Sequence, residues 1–416
     1  MLKKPSSTML AMLLSILMLV VALSGCGAKE DPKGLVSGKI YDDTTKELIT
    51  GSVVVTLSGA PTITVTNGQY QFAEVPAGNI TLTAQSGGYQ AYIASVNVQA
   101  GQTTVKDIYL AKYPSDLAAG DRRTYAVGRV YFAMCYAPNG SFVSDDSVIT
   151  GDDSLPSQVD VANSFWIAET EVTYELWHKV YIWATTDGHG YTFANPGREG
   201  NDGVIPGVIP ADPTDDAQEP VTTISWRDAL VWCNALTEYY NAENAASLDC
   251  VYKTTSGDPI RDANAGTICD AVVPDPTAKG FRLPTSGEWQ LAARYQDGAT
   301  WTLGGHVSGD TGGPCYSTNP KMDPFLSKVF GNYAWYIINT TSTQPVGQKL
   351  ANALEVRDMT GNVYEWCFDL QSGYLSRFYR GGSYDAVPLY LRIGYVRFGN
   401  VDSAKSYLGF RFVRTY

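Results

Sequence analysis

The first apolar run of the chain, Met9 to Leu23, follows Lys3 and Lys4 and is too short to cross a bilayer comfortably. Its length and basic lead match the core of a signal peptide over residues 1–25. A polar linker, 26–33, separates it from a stretch of different texture. Gly38–Tyr41, Val53–Leu57, Ile63–Val65, Tyr70–Phe72, Ile80–Thr83 and Val96–Val98 are short, β-branched and often alternating, which predicts strands. Asn67-Gly68 predicts a hairpin turn, because both residues tolerate positive φ. Strands at this regular spacing predict a small all-β sandwich over residues 34–112.

Beyond a connector at 113–124 the apolar positions fall into stripes of helical spacing, each opened by a capping residue. A strand runs up to Val172, and Thr173 then caps a helix that buries Leu176, Trp177 and Val180. Ser225 caps a second helix with Asp228 at its third position, and Trp232, Cys233 and Leu236 continue the buried stripe. Thr285 and Glu288 form a capping box at the start of a third helix running through Ala293. Segments around Asp187–Gly190, Pro210–Pro220 and 304–322 are rich in Gly, Pro and Asp and predict surface insertions.

Composition is globular, with 44% hydrophobic and 17% charged residues, and 40 Gly with 27 Tyr point to a loop-rich or β-rich fold. The net charge of −12 comes with no basic stripe to neutralise phosphates, so nucleic acid is not an expected partner. The end of the apolar run, Leu23-Ser24-Gly25-Cys26, resembles a bacterial lipobox. It implies acylation at Cys26, each buried methylene adding about 0.8 kcal/mol of membrane affinity. The expected location is therefore extracytoplasmic, tethered to a bacterial membrane. Gly27, not an aspartate, follows the cysteine, which favours the outer membrane or cell surface. The remaining cysteines, Cys135, Cys233, Cys250, Cys269, Cys315 and Cys367, are even in number, and in an oxidising compartment they predict disulfides. Cys250 with Cys269 across a polar, hairpin-like insertion is the first expected bridge. Cys233 with Cys367 and Cys135 with Cys315 would remain.

The cues Val36–Asp42, Asn67–Tyr70, Val75–Gly78 and Gly88-Tyr89 together resemble carboxypeptidase regulatory-like domains. The larger part, 125–416, resembles the formylglycine-generating enzyme (sulfatase-modifying factor) family through Phe165–Trp177, Pro220-Val221 with Ile224–Ala229, Gly280–Trp289, Asp358–Trp366, the run Arg380-Gly381-Gly382-Ser383-Tyr384-Asp385, and Gly409-Phe410-Arg411. The resemblance implies an α+β, C-type-lectin-like fold with little regular secondary structure. It also implies a reactive pair of cysteines that binds copper, yet those positions hold Ala386 and Leu391, and Val387 replaces a histidine. Neither alanine nor leucine can ionise, bind Cu(I) or cycle through a disulfide, so copper is not expected.

By the same resemblance, the side chains of Asp358 and Glu365 with the carbonyls of Gly361 and Val363 match a structural Ca²⁺ site, and the hard oxygen donors suit that ion. Tyr364, Ser383, Tyr384, Asp385, Ala386 and Leu391 fall on the family's substrate groove. Nucleophilic catalysis by Ser383 would need an adjacent base, and none is evident in the pattern. His178, His189 and His306 are the three histidines. His178 falls within a capped helix, the other two beside glycines in insertions where solvation is expected. These features predict a membrane-anchored lipoprotein whose sulfatase-modifying-factor-like domain is non-catalytic and serves binding or assembly of a glycan, peptide or protein. A formylglycine-generating oxidoreductase, or another enzyme using the same groove, is the alternative.

Overall fold

A computed structural model describes residues 32–416, except 87–88, 90–91, 113–116, 145–156, 206, 208, 245, 318–323 and 372–374. The signal segment and Cys26 lie outside the described residues. The chain divides into two compact units, Met1–Lys112 and Tyr113–Tyr416.

In the first unit the alternating pattern becomes two four-stranded sheets. Lys33–Asp42 pairs antiparallel with Gln69–Pro76 and parallel with both Thr103–Val105 and Ile108–Leu110. The other sheet orders Ile63–Val65, Val53–Leu57, Gly78–Ser86 and Tyr92–Val98, all antiparallel. Side chains from both sheets, including Val36, Ile40, Tyr70, Val55, Leu82 and Val98, meet in one core. The turn at Asn67-Gly68 does not close a hairpin. Its flanking strands belong to different sheets, and Gly68, at φ 69°, carries the chain from one to the other. The Gly68 carbonyl accepts from the Ile40 amide at 2.8 Å, which ties the crossing to the first strand.

The second unit is α+β with few helices. A five-stranded sheet orders Phe281–Arg282, Val413–Thr415, Phe165–Ala168, Val130–Ala137 and Arg122–Val127. A four-stranded sheet orders Val396–Asn400, Ser376–Arg380, Tyr364–Leu370 and Leu408–Gly409. Helices α1 (Tyr174–Thr185), α2 (Trp226–Asn244), α3 (Gly266–Asp270) and α4 (Ser286–Arg294) pack around them.

The helix starts follow local chemistry. Thr173 Oγ1 accepts from the Leu176 amide at 3.2 Å. Ser225 and Asp228 reciprocate, Asp228 Oδ2 accepting from the Ser225 amide at 2.9 Å and Ser225 Oγ from the Asp228 amide at 3.1 Å. Thr285 and Glu288 complete the capping box that opens α4. Between these elements the core is aromatic: Trp177 stacks on Trp232 with ring centres 5.8 Å apart, and Phe410 meets both edge-on.

Segment 304–322 is not simply a surface insertion. Val307, Ser308, Asp310 and Cys315 are buried, and Val307 and Cys315 pack beneath Ala386 and Leu391. The histidines also find partners: His189 stacks on Trp183 at 3.8 Å between ring centres, and His306 Nδ1 lies 3.0 Å from the Asp310 carbonyl.

Candidate functional site

Two glycines shape the region that carries the expected site. Gly361, at φ 83°, lies so close to Trp335 that a Cβ would stand 2.1 Å from the Trp335 carbonyl. Gly382, at φ 81°, would bring a Cβ to 2.8 Å from the Leu391 side chain. Neither place accommodates another residue without moving its neighbours. The two turns are tied together, since the Gly361 amide donates to the Gly381 carbonyl at 2.8 Å and the Tyr384 amide to the Asn362 carbonyl at 2.7 Å.

On one side of this junction lies the position of the missing thiols. Ala386 and Leu391 are buried in a cluster with Val307, Cys315, Ala334 and Tyr336. Pro388–Tyr390, a single 3-10 turn, joins them. Cys315 is the one thiol of this cluster; its Sγ donates to the Pro388 carbonyl at 3.3 Å and the Gly305 carbonyl at 3.5 Å. Burial pushes its pKa up to about 12. A thiol so placed is protonated and unreactive at neutral pH.

The expected groove residues do not form an open trough. Tyr364, Ser383, Ala386 and Leu391 are buried, Tyr384 is half-buried, and Asp385 faces solvent. Tyr364 packs edge-on against Tyr379 at 5.1 Å and Tyr407 at 6.1 Å, as a core residue. Ser383 Oγ donates to Asp385 Oδ1 at 2.6 Å, so its hydroxyl faces a carboxylate and not a histidine base. Two clefts of this unit lie elsewhere. One of about 380 Å³ is lined by Tyr252, Arg282 and Phe368, and one of about 200 Å³ by Arg122, Glu169 and Glu171; neither is lined by Ala386 or Leu391.

On the other side of the junction lies an ionic cluster that the sequence pattern did not disclose. Tyr364–Leu370 pairs parallel with Leu408–Gly409, setting Glu365 opposite Gly409 and bringing Arg411 within reach. Both residues are fully buried. Glu365 Oε2 accepts from Arg411 Nε at 2.6 Å and from Trp289 Nε1 at 2.7 Å, while Oε1 accepts from Arg411 Nη2 at 2.6 Å. Arg411 also donates to the carbonyls of Ala168 at 3.1 Å and Arg357 at 3.0 Å.

Two further buried carboxylates face this pair. Glu171 accepts from Asn362 Nδ2 at 3.1 Å and the Val363 amide at 3.3 Å. Burial, then the charges of Asp358 and Glu365, hold its pKa well above the ordinary value. Asp358 adopts φ 55°, a strained conformation for a non-glycine residue, and burial raises its pKa to about 6. Its Oδ2 accepts from the Gly347 amide at 2.5 Å, whereas Oδ1 is buried without a hydrogen-bond partner.

The expected four-donor calcium set does not fit this arrangement. Asp358 offers a free oxygen, but both oxygens of Glu365 already accept from Arg411, Oε2 from Trp289 as well, and that guanidinium supplies positive charge beside them. Among the described residues no three His, Cys, Asp or Glu side chains are arranged to hold a metal ion.

The expected disulfides do not form either. All six described cysteines are free and buried. Cys250 and Cys269 hydrogen-bond separate carbonyls, Asn234 at 3.7 Å and Asp262 at 3.4 Å. Cys135 and Cys367 share one apolar core, Cys233 lies in another, and Cys315 sits under Leu391. Burial raises every one of these thiols: Cys135, Cys250, Cys269 and Cys315 to about 12, and Cys233 and Cys367 well above the ordinary value. Enclosed thiols held in the protonated form are poor nucleophiles.

Comparison with known proteins agrees with this architecture. The model of the sulfatase-modifying factor enzyme 1-like domain matches residues 128–416, and that of the carboxypeptidase regulatory-like domain matches 35–111. The chain is 29% identical over 251 residues to chaperone protein LppX of Paenibacillus barcinonensis, covering 58% of this chain and 77% of that protein. It is 32% identical over 111 residues to the formylglycine-generating enzyme of Mycobacterium tuberculosis, covering 26% of this chain and 34% of that protein. Among solved structures, Treponema denticola variable protein 1 aligns with 71% of this chain and 99% of its own at 26% identity and a TM-score of 0.49. The chain belongs to the sulfatase-modifying factor enzyme 1-like domain family, with a carboxypeptidase regulatory-like domain ahead of that domain.

Proposed function

We propose that this protein is a lipid-anchored, extracytoplasmic lipoprotein whose sulfatase-modifying-factor-like domain is non-catalytic and serves binding or assembly. The observation that carries this reading is the enclosure of Ala386 and Leu391 in an apolar cluster with a single, protonated thiol, Cys315. Formylglycine formation needs a pair of thiols that can hold a soft metal and exchange electrons, and one buried cysteine cannot supply both. The relative named a chaperone protein supports a role in binding another polypeptide rather than in oxidising one. No helix of the described residues is long and apolar enough to cross a membrane. The anchor proposed here is lipid on Cys26, from the lipobox-like run Leu23-Ser24-Gly25-Cys26.

Two measurements test this reading. Incubating the full chain with copper and a Cys-x-Pro-x-Arg peptide should yield no aldehyde and no oxygen consumption; aldehyde formation would overturn the non-catalytic assignment. Metabolic labelling with a fatty acid should mark the wild type and not Cys26→Ser, and that variant should leave the membrane fraction. Equal labelling of both would remove the proposed anchor.

A further inference from the structure

An apolar display follows Asn201 in the chain. Val204, Ile205 and Ile209 expose 64%, 79% and 69% of their surface, within a sequence that repeats Gly-Val-Ile-Pro twice from Gly203 to Pro210. The ends of this loop are pinned. Arg198 Nε donates to the Gly203 carbonyl at 2.7 Å, Tyr174 Oη to the Ala211 carbonyl at 2.6 Å, and Thr214 Oγ1 to Glu199 at 2.7 Å. Asn201, just before the loop, exchanges hydrogen bonds with Thr343, its amide donating to Thr343 Oγ1 at 2.8 Å and its Oδ1 accepting from the Thr343 amide at 2.9 Å.

That contact joins the loop to segment 337–343, where Ile337 and Ile338 are half and 72% exposed. The Ile337 amide donates to the Ala386 carbonyl at 3.3 Å, so this pair adjoins Val387, itself exposed. Val204, Ile205 and Ile209 are thus exposed on one segment, and Ile337, Ile338 and Val387 on segments tied to it through Asn201, Thr343 and the Ala386 carbonyl. Scattered exposed aliphatics need no explanation, but a connected group on pinned loops marks an interaction surface.

The charge around the group selects the partner. Asp202, Asp212, Asp215 and Asp216 are exposed on the same stretch, and no lysine or arginine occurs between Arg198 and Arg227. Acidic flanks repel the anionic headgroups of a bacterial membrane and attract basic side chains. We infer that Val204, Ile205 and Ile209, with Ile337, Ile338 and Val387, form a docking surface for a polypeptide segment whose apolar side chains are flanked by lysine or arginine. This rests on the non-catalytic binding role and names the chemistry of its partner.

The test uses the full chain in phosphatidylcholine nanodiscs and the fluorescence anisotropy of short labelled peptides: leucine-rich with flanking lysines, the same with flanking glutamates, and a serine-for-leucine control. The lysine-flanked leucine peptide should bind, and each control should bind about tenfold more weakly. Ile205→Ser with Ile209→Ser should weaken binding about tenfold, and Asp212→Asn with Asp215→Asn about threefold, with unchanged thermal midpoints because all four side chains are exposed. Equal binding by the variants, or by the glutamate-flanked peptide, would refute the inference. So would a loss, in the isoleucine variant, of binding to phosphatidylglycerol vesicles without loss of peptide binding, which would identify a membrane surface instead. Failure of the wild type to bind any of these peptides sinks the docking surface alone, whereas aldehyde formation on the cysteine peptide sinks the binding role beneath it.

Discussion

Ala386 and Leu391 lie among Val307, Ala334 and Tyr336, whereas Glu365 and Arg411, joined to them through the turns at Gly361 and Gly382, are buried as an ion pair. Both regions occupy places that the family frame defines. One has become ordinary core, stabilised by area removed from water. The other holds a fully desolvated ion pair, Glu365 with Arg411, beside two further buried carboxylates, one oxygen of which, Asp358 Oδ1, has no hydrogen-bond partner. The difference teaches that this frame is held by its turns and buried charges with no thiol at Ala386 or Leu391. Packing and electrostatics hold the backbone geometry here.

The comparison is broken most sharply at Arg411. Replacing it by methionine leaves Glu365 buried with only Trp289 as partner, and Asp358 and Glu171 beside it. Arg411→Met should cost about 4 kcal/mol in urea unfolding or prevent folding altogether, and adding Glu365→Gln should recover much of that loss. Failure of the second substitution to rescue the first would show that Arg411 acts through its carbonyl contacts at Ala168 and Arg357 and not through the charge pair.

In the apolar region the expected effect is smaller and of another kind. Leu391→Ala opens a cavity beside Cys315 and Gly382 and should cost about 3 kcal/mol, independent of pH and salt. A cost well below 1 kcal/mol would mean that the pocket collapses or is already loosely packed.

The smallest effect sharpens the electrostatic half. Asp358 has its pKa raised from 3.8 to about 6 in the folded chain. Below its unfolded value both states hold the proton, and the folded state gives it up less readily. Stability is therefore lost as pH rises through about 6. The wild type should lose a few degrees of thermal midpoint between about pH 5 and pH 8, and Asp358→Asn should lose less over the same interval. A wild-type midpoint that rises over this range and falls on addition of EDTA would show that a cation neutralises Asp358.

The local statements of the sequence reappear in the structure nearly residue for residue. Thr173, Ser225 with Asp228, and Thr285 with Glu288 start their helices because a capping bond spans only three residues, so the partners are adjacent in the chain. Val53–Leu57 and Ile63–Val65 are strands for a similarly local reason. The turn at Asn67-Gly68 was equally visible, but whether it closes a hairpin depends on which sheet each flanking strand joins.

The candidate site divides along the same line. The absence of thiols at Ala386 and Leu391 and the clustering of Asp358 to Glu365 are written in the chain. The pairing of Glu365 with Arg411, 46 residues away, is not, because it depends on the parallel register between Tyr364–Leu370 and Leu408–Gly409. Glu171 reaches the cluster from farther still, its partner Asn362 lying 191 residues on. The six cysteines allow many pairings on paper, and only the tertiary structure leaves all six unbridged and buried.

By itself, then, the sequence determined the family, the order of the two domains, the helix caps and the alanine and leucine at positions 386 and 391, because each depends on residue identity or on neighbours a few positions apart. Only the tertiary structure decided that Tyr364, Ser383, Ala386 and Leu391 are buried, that Arg411 pairs with Glu365, and that Val204, Ile205, Ile209, Ile337, Ile338 and Val387 stay exposed. Those outcomes depend on contacts between distant segments and on burial. Burial sets the charge state of a carboxylate and the reactivity of a thiol, and no spacing along a chain encodes it.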